Sequence, residues 1–290
     1  MKRLTLCAML LASGFLFPVA AQAPGSGVGF DRGSGPIEIE ASDGIEWRRD
    51  EKVYIASGNA KAKRGAITLS GARLIARYRD RPSGADAASG NDLGGSVYRL
   101  EAEGQVVITT PTQTAYADKA IYDVDQSIIL LTGKDLRIEA DGDLIMARDS
   151  LEWYETRRVA VARGKAVVTR GDRRVDADVL TAFVEDDPTK PGQSRVRRVE
   201  GFGDVRVSAT TQTARGERGV YDLRSDIATL AGAVKLTQGD SQLNGDYGEM
   251  NMTSGVSRLL PSPDGKTRVQ GLIVPQERRP AAPTPTRSAP

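Results

Sequence analysis

The sequence predicts an all-β protein, an elongated and twisted stack of short antiparallel strands. Three observations carry this. Apolar residues alternate at Val53 and Ile55, Ile128 and Leu130, and Val159 and Val161, the period of a strand with one buried face. One skeleton returns four times, an aromatic residue eleven positions before a glycine: Trp47 and Gly58, Tyr122 and Gly133, Trp153 and Gly164, Tyr221 and Gly232. Beyond the N-terminal apolar run, no long window shows the 3.6-residue period of an amphipathic helix.

Residues 1–21 have two basic residues, an apolar run from Leu4 to Val19 and a small-residue end, the layout of a cleavable signal peptide. Cleavage is expected after Ala21, because a cut after Ala23 would leave Pro24 first. Its removal takes Lys2 and Arg3 and no acid, so 38 basic residues face 38 acidic ones. A net charge of zero with interspersed signs argues against a nucleic-acid binder, which needs a basic stripe. The only cysteine, Cys7, leaves with the signal, and there is no histidine. Disulfides, thiolate catalysis, Ser-His-Asp triads and histidine-bound zinc are thereby excluded.

Residues 22–36 carry GSGVGFDRGSG, which lacks the preceding strand and Gly-Lys-Ser/Thr ending of a phosphate loop and reads as a flexible lead-in. Within each repeat the glycine is expected to end one strand before a second apolar pair: Ala60 and Ala62, Ala166 and Val168, Val234 and Leu236. In the second copy Leu136 and Ile138 fall one place later, and a bulge is expected there. RLEAEGQVVITTPTQTAYADKAIYD from Arg99 recurs as RVEGFGDVRVSATTQTARGERGVYD from Arg198, 99 residues on, which indicates internal duplication. The turn-rich insertions at 79–96 and 185–195 read as exposed loops, and the Pro-rich segment 275–290 as a disordered tail. Short strands of this kind bury their apolar faces only against neighbours, so a stack of roughly two dozen is expected. An ordinary β-sandwich remains the alternative.

Carboxylate pairs are the one catalytic material left: Asp123/Asp125, Asp141/Asp143, Asp176/Asp178 and Asp186/Asp187. Most sit at predicted turns, where Asp caps the local backbone, so turn chemistry is the reading and no enzyme, metal or cofactor is expected. Trp47 and Trp153 hold equivalent repeat positions and read as structural. What remains is the apolar stripe itself, either packed core or a trough for acyl chains. The alternation assigns Val53, Ile55, Val106, Ile108, Val159, Val161, Val205 and Val207 to it.

The stretch PIEIEASDGIEWRRDEKVYIASGNAKAKRGAITLSGARLIARY, with its I-x-I-E opening, Ser-Gly-Asn hairpin and Gly-x-Ile-x-Leu, resembles the start of the OstA-like family of lipopolysaccharide-transport proteins. VYDLRSDIATLAGAVKLTQGDSQLNGDYGEMNM, followed by Gly-Lys-x-Arg-Val and LIVP, resembles its end. The resemblance spans about residues 36–275, with an additional block of about 100 residues between the matching ends. It implies one OstA-like domain over 37–274, a twisted open β-jelly roll in the periplasm whose interior shields lipid A acyl chains. It also implies end-to-end docking of protomers and partners in the inner- and outer-membrane transport components. The I-x-I-E strand, here Ile37, Ile39 and Glu40, would line the lipid path. A secreted polysaccharide-acting enzyme or a structural scaffold is the alternative function.

Overall fold

A bent antiparallel sheet in two walls accounts for every regular element of the computed structural model, which describes residues 37–80, 96–140, 142–189, 194–210, 212–251, 253–254, 256–261 and 268–273. The signal peptide, the lead-in, residues 81–95 and 190–193 of the two insertions, and the Pro-rich tail lie outside the described residues. The strands are β1 (Glu38–Glu40), β2 (Gly44–Arg48), β3 (Val53–Arg64), β4 (Ile67–Arg79), β5 (Ser96–Thr109), β6 (Gln113–Asp123), β7 (Ile128–Thr132), β8 (Leu136–Ala140) and β9 (Asp143–Ala147). They continue as β10 (Ser150–Tyr154), β11 (Val159–Arg170), β12 (Arg173–Asp186), β13 (Ser194–Ala209), β14 (Gln212–Asp222), β15 (Ile227–Gln238), β16 (Ser241–Asn251), β17 (Ser257–Leu260) and β18 (Gln270–Leu272).

In three of the four copies the repeat glycine does not end its strand, as the sequence led us to expect, but bends it; only in the second does the strand stop, at Thr132 before Gly133. β3, β5, β11, β13 and β15 each shift register against the next strand at a Gly-x pair. At these pairs Gly58, Gly104, Gly164, Gly203 and Gly232 have φ of 76 to 84°, and the residue that follows is also left-handed. Such a bulge adds one residue to one strand and turns the sheet through a corner. Between the inward residues Ala56 and Ala60, β3 spends three residues at the corner, whereas β4 spends two between Gly71 and Leu74. Only glycine fits: a Cβ on Gly164 would stand 2.3 Å from the Asp149 carboxyl.

At four levels of the stack the corner is a break instead of a bulge, so one long strand becomes two short ones. The second copy, where a bulge was expected, is one of these: β7 stops at Thr132 and β8 starts at Leu136. β7 pairs with one half of β6 and β8 with the other. β10 and β9 meet them in the same manner, β1 and β2 flank β3, and β17 and β18 flank β16. The break between β9 and β10 is held by the Arg148 and Asp149 amides donating to Gly164 and Arg163 at 2.7 and 2.9 Å.

Ten strands therefore run through both walls and eight short ones fill four further levels in pairs. Among the described residues the strands number eighteen, fewer than the two dozen expected, because the bulges leave most of them whole. Fourteen levels spaced by about 4.8 Å give a stack about 60 Å long. One continuous cluster fills the angle between the walls along its length. It is deepest at the crease, where Ala60 and Ala166 are 0% exposed and Val106 and Val205 1%.

Candidate functional site

Register decides what each wall shows to the interior. In the first wall one cross-strand row runs Ile45, Ala56, Leu74, Ala102, Ala120, Leu131. It continues through Leu151, Leu180 and Leu230 to Leu259. In the second wall the matching row starts Ile39, Ala62, Leu69, Ile108, Ala115, Ile138 and runs on through Val175, Val207 and Leu236. Neither row contains a charged or hydrogen-bonding side chain at any of the fourteen levels. Two residues nearer the rim of the first wall lies a third row, which holds all four aromatic residues of the repeat: Trp47, Tyr122, Trp153 and Tyr221. The spacing to the bend is thus a device for setting an aromatic ring at one depth on the inner face.

Six of the eleven residues expected to line a trough belong to this interior. Ile37 and Ile39 lie against the cluster, Val106 and Val205 sit in its crease, and Ile108 and Val207 stand in the second-wall row. The other five do not. Val53 and Ile55 form a separate cluster with Ile75, and Ile55 and Val161 lie in the alternate row with Glu101, Glu152 and Glu200, on the outer face of the first wall. Val159 is in the next outer row, beside Tyr154 and Phe183. Glu40 is exposed on the outer face of the second wall, opposite Lys61. The four apolar ones share a physical reason: outer residues of the first wall are also apolar and covered by long neighbours such as Arg48 and Arg77, whose aliphatic stems shield them. Sequence reasoning missed the partners that do face inward, Ala56, Leu131, Leu151 and Leu180, which share the inner face with the aromatic skeleton.

The interior is packed at the crease, where Ala60, Val106, Ala166 and Val205 are at most 1% exposed. Two small cavities interrupt it, one of about 20 Å³ lined by Leu69, Leu100, Ile108, Tyr122 and Ile129, the other of about 10 Å³ between Leu230, Leu236, Met250 and Leu259. Each has about the room of a single water.

A family model described as LptA/(LptD N-terminal domain) LPS transport protein matches residues 38–149 and again residues 145–256. The chain belongs to this lipopolysaccharide-transport family. The two family matches overlap at residues 145–149, beside the place where β7 and β8 face β10 and β9, and the chain's architecture is the all-β, OstA-like β-jelly roll. "Uncharacterized protein R00383" of Rhizobium meliloti (strain 1021) is 30% identical over 99 residues, which cover 34% of this chain and half of the length of that relative. The solved structure of LptH, the LptA homologous periplasmic component of the lipopolysaccharide transport device from Pseudomonas aeruginosa, is 19% identical with a TM-score of 0.40. The match covers 95% of that chain and 46% of this one.

The carboxylates singled out as catalytic material have other partners in this family member. Asp123 and Asp187 accept from the amides of Gln126 and Thr189 at 2.9 and 2.8 Å, as turn residues do. Asp125 pairs with Arg79, Asp143 with Arg170, Asp176 with Arg174, Asp178 with Lys165 and Asp186 with Arg158. Asp141 lies outside the described residues. At the two ends of the stack, apolar side chains stand exposed on short edge strands or just beyond them: Ile45 and Trp47 on β2, Leu260 on β17, Leu272 and Ile273 at β18.

Proposed function

We propose that the space between the walls receives the acyl chains of lipopolysaccharide, so that the protein shields lipid A in the periplasm on its way from the inner to the outer membrane. The observation that carries this reading is the unbroken pair of apolar rows on the two inner faces. Burial there is non-directional and adds about 0.8 kcal/mol per methylene, which suits a conduit along which a lipid must slide. No residue has to do bond chemistry, and directional movement comes from an energy-consuming partner.

On this reading residues 37–274 are the transport domain, exported by a signal peptide in residues 1–21. Edge strands bearing exposed apolar side chains are templates for strand addition, so the ends dock on inner- and outer-membrane transport components and on further copies of the chain. Head-to-tail contacts of this kind propagate. Ile37, Ile39, Ile108 and Val207 line the path, with Val106 and Val205 beneath it.

Photo-crosslinking in cells tests this, with a probe residue replacing Ile39, Ile108 or Val161 in turn. Covalent capture of lipopolysaccharide is expected at Ile39 and Ile108 and not at Val161. Capture at neither inner position in the folded protein would reduce the interior to an ordinary core.

A further inference from the structure

The four aromatic residues of the inner row are not equally provided for. Trp47 donates its indole N–H to the Tyr78 hydroxyl at 2.8 Å, Tyr122 donates to the Glu155 carboxylate at 3.2 Å, and Tyr221 donates to Asp226. Trp153 breaks the series. Its Nε1 is buried and meets no acceptor among the described residues.

The duplication shows how this arises. Trp47 and Trp153 occupy one and the same place in the two modules, for the Tyr78 amide donates to the Lys52 carbonyl at 3.0 Å as the Val184 amide donates to the Arg158 carbonyl at 2.9 Å. Trp47 faces Tyr54 across the strands and stacks on it at 5.4 Å, whereas Trp153 faces Ala160. Where the first module has Tyr54 and Tyr78, the second has Ala160 and Val184. The hydroxyl that would accept the proton and the ring that would cover the indole are both gone, and smaller side chains stand in their place.

We propose that the Trp153 indole N–H is a hydrogen-bond donor to the ester or amide carbonyl of an acyl chain held between the walls, a fixed polar contact at the junction of the two modules. This rests on the lipid-carrying reading above and adds a register point to it. A buried donor without a partner is unfavourable, and a ligand that supplies an acceptor relieves it. Trp153 neighbours Ile129 in its row, and the 20 Å³ cavity opens against Ile129 and Tyr122. The chemistry of the acceptor follows from the neighbours. A hydrocarbon tail offers none. An anionic phosphate would meet the Glu155 carboxylate, buried beside Tyr122 on the same side of the sheet, and like charges disfavour that contact. A neutral carbonyl at the head of an acyl chain satisfies both constraints.

The test uses the full mature chain labelled with ¹⁵N-tryptophan and purified lipid A as probe. The two indole resonances are told apart by the loss of one in W153F. On saturation with lipid A the Trp153 indole proton is expected to move downfield while that of Trp47, already bonded to Tyr78, stays in place. W153F, which keeps a ring but no donor, is expected to bind lipid A about fivefold more weakly. A Trp153 resonance that does not move in a protein saturated with lipid A overturns this inference and leaves the lipid-carrying reading standing. Failure of the unsubstituted chain to bind lipid A overturns that reading first, and this inference with it.

Discussion

Ala56 and Ile55 are adjacent in the chain and stand on opposite faces of the first wall, and the rows they begin differ in kind. The inner row from Ala56 has no side chain that can make a hydrogen bond across the length of the stack. The outer row from Ile55 mixes Ile, Val and Thr with Glu101, Glu152 and Glu200. Glu101 accepts from Arg77 at 2.9 Å with Arg99 and Lys119 close by. Burial pushes its pKa up, but the Arg77 hydrogen bond and the neighbouring cations more than offset this and hold it below the ordinary value. Glu152 is held the same way by Arg163, Ser150 and Tyr154. The outer face is fixed by bonds with named partners, the two apolar inner rows by burial alone, and the aromatic inner row nearer the rim by both. Separating the walls along the two apolar rows breaks no side-chain hydrogen bond of those rows.

The contrast can be sharpened by substitution. Leu131→Ala in the inner row, at 5% exposure, is expected to cost the most, about 3 kcal/mol from lost burial and the cavity left behind, measured by urea unfolding. A cost below about 1 kcal/mol would mean that the walls are not held by burial. Glu101→Gln is expected to cost about 2 kcal/mol near neutral pH, since it removes a hydrogen-bonded charge from the outer network. A carboxylate whose folded pKa is lowered gives stability that is present above its unfolded pKa and lost as pH falls through the folded one. The difference between parent and variant should therefore shrink in acid, below the ordinary glutamate value of 4.5; a difference constant down to pH 2 would assign the effect to shape rather than charge. Val161→Thr, next to Thr181 in the outer row, is expected to cost about 1 kcal/mol and to leave lipopolysaccharide capture at Ile39 unchanged. Loss of that capture in a folded variant would put Val161 back on the lipid path.

Strand type, duplication and the repeating glycine were legible because they depend on spacing within one strand. The face of each residue was not, because it depends on the corner. Val53 and Ile55 before Gly58, and Ala60 and Ala62 after it, read as one apolar stripe along the chain. Ile55 and Ala60 are five residues apart, so alternation carried through the bulge of β3 puts the first pair outside and the second inside, whereas on β4 the corner takes two residues between the inward Gly71 and Leu74 and reverses the alternation. Nor could hydrophobicity separate them, since Val53 is 2% exposed on the outer face under the stems of arginines. A count of nine residues from Trp47, Tyr122 and Tyr221 would have pointed to Ala56, Leu131 and Leu230. Of the carboxylates, a turn Asp such as Asp123 was legible because its partner is three residues away, whereas Asp143, Asp176 and Asp178 lie within strands and pair with Arg170, Arg174 and Lys165. Whether the second copy would bulge or break was out of reach: its longer glycine interval signals an irregularity, and only the paired edges of β6 and β11 show that the strand divides there.

The divided strands at mid-chain have one more consequence. β7 with β8, and β10 with β9, are built as the two termini of the stack are built, from short pairs on either side of an open corner, and here two such ends are already joined. Because both belong to one polypeptide, the joint forms without the loss of translational and rotational freedom that two separate molecules would incur, at an effective concentration set by the hairpin between β8 and β9. Whatever happens to the outer ends on dilution, this joint does not dissociate, and the reach of two family modules is a property of the single molecule.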